Sequence, residues 1–156
     1  LIAGAKGAYT PQLQALIRSL PASQQAQVTV INDFQETEKP RLLAACDLFV
    51  LASGHESFGI AFAEAWGCKK PVIGARVDAV SSLIAEGKDG LLFTYEDPTS
   101  LVEAILTLLA NPQARQEMGR AGYQKVLGNY TWEIVTNRLR QVYVEAIARR
   151  RADRRL

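Results

Sequence analysis

Apolar residues gather in short uninterrupted runs along this chain, and stretches with helical spacing separate the runs. Residues 1–3, 28–31, 48–51, 71–73 and 91–93 are continuously apolar rather than alternating. Strands buried on both faces of a parallel sheet read this way. After Thr10-Pro11, the residues Leu13, Leu16, Ile17 and Leu20 fall on one helical stripe. Asp97-Pro98 pairs a capping acid with proline at the first helical position, which predicts a helix through Leu109. Asn111-Pro112 repeats the device for the next helix. Thr131 is the expected cap of a last helix running to about Arg149. Its apolar contacts are expected at Ile134, Leu139, Val142, Tyr143 and Ile147, with Trp132 and Tyr143 as packing anchors.

Strands alternating with helices imply right-handed βαβ units and an α/β, Rossmann-like, doubly wound parallel sheet. Ligands bind such sheets beyond the carboxyl ends of the strands. The loops at residues 4–9, 32–38, 52–59 and 75–81 are therefore expected on one edge. Residues 1–130 form the expected domain, 131–150 a helix packing back on it, and 151–156 a basic tail.

Composition excludes more than it selects. With 48% hydrophobic and 22% charged residues, the chain has the profile of a globular domain, not a disordered one. At 156 residues it is one domain by prior. No apolar run reaches the roughly 18 residues that a membrane-spanning helix needs. The chain starts with Leu1 rather than Met, so silence about targeting carries no weight. Five arginines against Asp153 give the last eight residues a net +4, which leaves −2 on the rest of a chain whose total is +2. That is not the footprint of a nucleic-acid binder. The tail either frays in solvent or touches an anionic membrane surface. One histidine and two separated cysteines exclude a four-ligand zinc site, and cytosolic thiols are the default.

The loop at 52–59 carries the chemistry. His55-Glu56-Ser57 leads from a strand into a helix expected to start near Phe58 or Gly59. A helix N-terminus exposes unpaired amides and attracts anions, and Gly59 removes the side chain where an anion would approach. Glu56 precedes the helix, and Glu64 lies about five residues into it, roughly 8–9 Å along its axis. Two acids bracketing an anion turn suit a ligand with hydroxyls at both ends and phosphates between, since a carboxylate clamps paired hydroxyls. A nucleotide-sugar has that layout. His55 reads as a loop residue rather than a base, and Phe58, Phe62 and Trp66 as core.

The segment ESFGIAFAEAWGCKKPVIG resembles the signature of retaining GT-B glycosyltransferases of family four (glycosyl transferases group 1), in their C-terminal donor-binding domain. The run Ala44-Ala45-Cys46-Asp47-Leu48-Phe49-Val50, the turn Glu86-Gly87-Lys88-Asp89-Gly90 and Tyr130-Thr131-Trp132 extend the resemblance in order. It implies that Glu56 holds donor-sugar hydroxyls nearest the reacting carbon, beside Ser57. Amides of Phe58, Gly59 and Ile60 would hold the sugar and distal phosphate, and Glu64 the ribose hydroxyls. Gly4 would form a glycine turn, and Asp33 and Phe34 would border the nucleobase. The implied reaction is hexose transfer from a nucleoside-diphosphate sugar to an acceptor hydroxyl, with retention, no metal and no protein nucleophile, in the cytoplasm or at the inner membrane face. It also implies a first strand and a cationic loop before Leu1 and an acceptor-binding N-terminal domain, neither within these residues; the fragment alone is expected to be inactive. Where the family usually has Gly-Gly-x-x-Glu, this chain has Asp78, Ala79 and Ser82. A non-enzymatic nucleotide-binding or scaffold module of the same fold, a sugar phosphorylase and a nucleotide-sugar epimerase stay open as alternatives.

Overall fold

The computed structural model describes residues 1–153, with side chains described through Arg150. Arg154 and Arg155 of the basic tail lie outside the described residues. Two compact units share the chain, Leu1–Leu42 and Leu43–Leu156.

The first unit carries β1 (Ile2–Gly4), α1 (Thr10–Ser19), α2 (Ala22–Gln25) and β2 (Val30–Asn32), while α3 (Lys39–Ala45) runs across the unit boundary. The two strands pair in parallel, with Ile2 opposite Val30 and Gly4 opposite Asn32. Helix α1 starts where Thr10-Pro11 predicted, and the Thr10 hydroxyl accepts the Gly7 N–H at 2.9 Å.

The second unit follows with β3 (Phe49–Leu51), α4 (Ile60–Gly67), β4 (Val72–Ala75), α5 (Asp78–Leu83), β5 (Gly90–Phe93), α6 (Pro98–Ala110), α7 (Pro112–Asn129) and α8 (Trp132–Asp153). Its sheet has the order β3-β4-β5, all parallel. All four residues of β4 are buried, the condition a continuous apolar run describes. Successive side chains on a strand point to opposite faces, and β4 shows it. Val72 joins a core with Phe62, Trp66, Val80 and Leu83. Ile73 and Ala75 join another with Phe93 and Leu108. Helices α4 and α5 thus cover one face and α6 the other, the doubly wound arrangement. Burying each large apolar side chain contributes about 1.5–3 kcal/mol.

The caps behave as their chemistry requires. The Asp97 carboxylate accepts the Thr99 and Ser100 amides at 2.9 and 3.2 Å, and the Asn111 side chain accepts the Ala114 amide at 3.0 Å. Helices α2, α3 and α5 have no counterpart in the sequence expectations: at four to seven residues they are too short to show an apolar stripe.

The last helix corrects one expectation. Trp132 is 83% exposed and Tyr143 61%, and Leu139, Val142 and Ile147 are also exposed. These residues are not packing anchors in the described structure. Periodicity identifies an apolar face but does not say whether anything covers it.

Among the described residues, one buried charged group sits inside the second unit. Asp89 is 1% exposed and forms an ion pair with Lys125 of α7. It also accepts the Ala85 amide at 2.9 Å, while its own carbonyl accepts the Trp66 indole N–H at 2.8 Å. Lys125 donates to the Leu83 carbonyl at 2.8 Å and lies 4.7 Å from the Trp66 ring centre. Helices α4, α5 and α7 are joined through this network.

Candidate functional site

In the second unit the chain leaves β3 at Leu51 and enters α4 at Ile60, one or two residues later than expected. Gly59 explains the delay. Its φ of 80° and ψ of 49° are left-handed, so the helix cannot extend back through it. A Cβ at Gly59 would lie 2.7 Å from Phe62 Cδ2 and 3.2 Å from Leu83 Cδ2. Backbone and packing both demand glycine here. No side chain caps α4, and the Gly59 carbonyl accepts the Phe62 amide at 2.9 Å.

Glu56 stands half-buried in the loop, and Glu64 is half-buried at the fifth position of α4. The sequence thus placed both acids correctly, one on either side of the Gly59 turn. Ser57 is exposed, Ile60 is 66% exposed, and Phe58 is 43% exposed with its ring edge against Tyr130 at 5.3 Å. Phe58 therefore lies outside the core, whereas Phe62 and Trp66 of α4 are fully buried. Ser53 tightens the loop start by donating to the His55 carbonyl at 2.8 Å, and His55 itself is exposed.

The next loop on this edge differs in character. The Arg76 guanidinium meets both carboxylate oxygens of Glu86 at 2.8 Å. Asp78 opens α5, and the Ser82 hydroxyl donates to the Asp78 carbonyl at 2.9 Å, so Ser82 is satisfied within its own helix. Near the end of α4, burial pushes the Cys68 thiol pKa up; Lys70 opposes this and Glu64 adds to it.

In the first unit, Gly4 ends β1 and Asp33 follows β2 with a left-handed φ of 55°. Asp33 tolerates that conformation because its short side chain bonds locally. Its amide donates to the Gly4 carbonyl at 3.3 Å, and its carboxylate accepts the Lys6 amide at 3.2 Å, with the Lys6 ammonium 3.7 Å away. Gly4 and Asp33 are thus brought together, with Lys6 as an added partner that no sequence pattern signalled. Phe34 is half-buried beside them in sequence.

Chemically, the 52–64 segment offers amides at a helix head between two carboxylates, which can hold an anion flanked by hydroxyls. Among the described residues no group of three or more His, Cys, Asp or Glu side chains is placed to hold a metal ion. Among them too, no helix is long and apolar enough to cross a membrane.

Residues 1–125 match the family model described as glycosyl transferases group 1. An uncharacterized glycosyltransferase of Methanocaldococcus jannaschii is 32% identical over 108 residues, which are 69% of this chain and 30% of that relative. Among solved structures, a sucrose-phosphate synthase from Thermosynechococcus elongatus superposes with a TM-score of 0.83 at 25% identity, over 93% of this chain and 37% of that one. HepE of Anabaena, solved with UDP and glucose, superposes with a TM-score of 0.79 at 24% identity, over 94% of this chain and 39% of its own. The chain therefore spans about a third of the length of these proteins. The fold they share with it is the Rossmann-like, C-terminal half of GT-B.

Proposed function

Because this chain belongs to the glycosyl transferases group 1 family, we propose that the segment from Glu56 to Glu64 holds a nucleoside-diphosphate-sugar donor for retaining transfer of a hexose to an acceptor hydroxyl. The observation that carries this reading is the left-handed Gly59 turn at the head of α4, bracketed by two half-buried acids. Diphosphate oxygens accept from the amides of Phe58, Gly59 and Ile60, where the helix dipole favours negative charge. Glu64 accepts from the ribose hydroxyls and Glu56 from the sugar hydroxyls, both as charge-assisted bonds. Support comes from HepE, whose structure contains UDP and glucose.

In the reaction, the bond between the anomeric carbon and the diphosphate oxygen breaks as the acceptor oxygen bonds that carbon on the same face. The acceptor proton passes to the departing diphosphate, which leaves no step for a protein nucleophile or a metal ion. Glu56 lies nearest the developing positive charge on the sugar ring and stabilises it electrostatically.

Titration with UDP, GDP and ADP by calorimetry tests the binding half. We expect at least one to bind and Glu64→Ala to abolish that binding; a variant that binds as tightly as the parent removes the ribose role. In the complete gene product, Glu56→Ala should lower turnover by roughly 100-fold or more while changing nucleotide affinity little. Unchanged turnover would sink its assignment.

A further inference from the structure

Tyr95 follows β5 by two residues, at the carboxyl edge that also carries the 52–59 loop. No motif marks it, yet its ring lies directly on the backbone of Gly54. A Cβ at Gly54 would stand 2.6 Å from Tyr95 Cε2 and closer still to Cζ and Oη. Only a hydrogen on Gly54 lets the ring rest there. Tyr95 keeps 40% of its surface exposed.

The turn that carries Tyr95 is well fixed. The Thr94 amide donates to the Ser100 hydroxyl at 3.0 Å, and the Asp97 amide donates to the Thr94 carbonyl at 3.0 Å. Glu96 reverses the chain with a left-handed φ of 61°. Asp97 then ties the turn to the first amides of α6. On the other side, the 52–59 loop is held at its far end by Gly59 against Phe62 and Leu83. Nearer its start, Ser53 closes on His55. The ring thus meets Gly54 from a fixed turn, two residues before Glu56.

We propose that Tyr95 is a positioning residue for Glu56, its ring setting the course of the 52–59 loop through contact with Gly54. This rests on the reading of that loop as the donor site. It separates two tasks within the site: α4 carries Glu64 and is anchored by Phe62 and Trp66, whereas the loop bearing Glu56 leans on the β5–α6 turn.

The test uses the complete gene product and the glucose conjugate of whichever nucleotide binds in calorimetry, read by release of the nucleotide. Tyr95→Ala should lower kcat on the order of 10- to 100-fold, the scale of a misplacement near 1 Å, with affinity for the free nucleotide unchanged. Tyr95→Phe keeps Cζ and Cε2 and should retain wild-type kcat. Gly54→Ala pushes the ring off the loop and should reproduce Tyr95→Ala, and the double variant should be no worse than either single one. Wild-type kcat in Tyr95→Ala overturns the proposal, as does additive loss in the double variant. A Tyr95→Phe variant as impaired as Tyr95→Ala overturns it in favour of a hydroxyl that contacts the donor. Should Tyr95→Ala lose its folded melting transition, Gly54→Ala and Tyr95→Phe decide alone. Nucleotide binding by the parent protein separates the two layers: if UDP, GDP and ADP all fail to bind it, the donor reading fails, whereas a parent that binds beside a silent Tyr95→Ala removes only this inference.

Discussion

Gly59 is constrained twice, by a left-handed backbone and by Phe62 and Leu83 within van der Waals reach of any added carbon. Phe62 is fully buried and has nowhere to retreat. Gly59→Ala should therefore lower the unfolding free energy by about 1–3 kcal/mol, measured by urea denaturation. An unchanged midpoint and slope would show that the turn can relax at no cost. At this scale the sequence was legible where spacing alone sufficed. Glu56 and Glu64 could be placed around a turn because eight residues of strand-loop-helix chain leave little freedom. The start of α4 could not, since it depends on a φ angle rather than on residue order. Tyr95 could not either: its contact with Gly54 joins positions more than forty residues apart, and neither residue belongs to a pattern.

Between elements, the Asp89–Lys125 pair is the clearest single dependency. Lys125 reaches from α7 to the Leu83 carbonyl at the end of α5, and Asp89 ties the following turn to Trp66 of α4. Removing Lys125 leaves the Asp89 carboxylate buried without its counter-charge, with only the Ala85 amide still donating to it. Lys125→Met should cost about 3–5 kcal/mol, whereas Lys125→Met combined with Asp89→Leu should recover much of that loss. Chemical denaturation of the three variants checks this, and a single variant as stable as the parent would dismiss the pair's importance. Helix starts were legible wherever an acid or amide preceded proline, as at Asp97 and Asn111, because those residues cap by local chemistry. The outward-facing residues of α8 were not, because Leu139 or Val142 looks the same in a sequence whether or not something covers it.

At the scale of the whole molecule, the buried side chains among the described residues lie at Leu43 and beyond, and residues 1–42 contribute only partly buried or exposed ones. The core is thus concentrated around β4, whose four residues are buried on both faces. The parallel class of the sheet was readable from uninterrupted apolar runs. Strand order was not, since βαβ handedness prunes topologies without choosing one.

Parallel pairing also has a consequence in time. Phe49 meets Val72, and Val72 meets Gly90, so no ladder of this sheet can close through a tight hairpin. Each strand must wait for a helix to form and swing back before its apolar groups are covered, and the loop-closure entropy comes first. During that interval Val72-Ile73-Gly74-Ala75 presents an unpaired apolar edge to other chains in the same state. Refolding from urea should then be a race between closure and encounter. The recovered native fraction should fall as protein concentration rises from about 1 to about 50 μM, measured by light scattering and recovered ellipticity. A yield independent of concentration would mean that β4 is covered before chains meet.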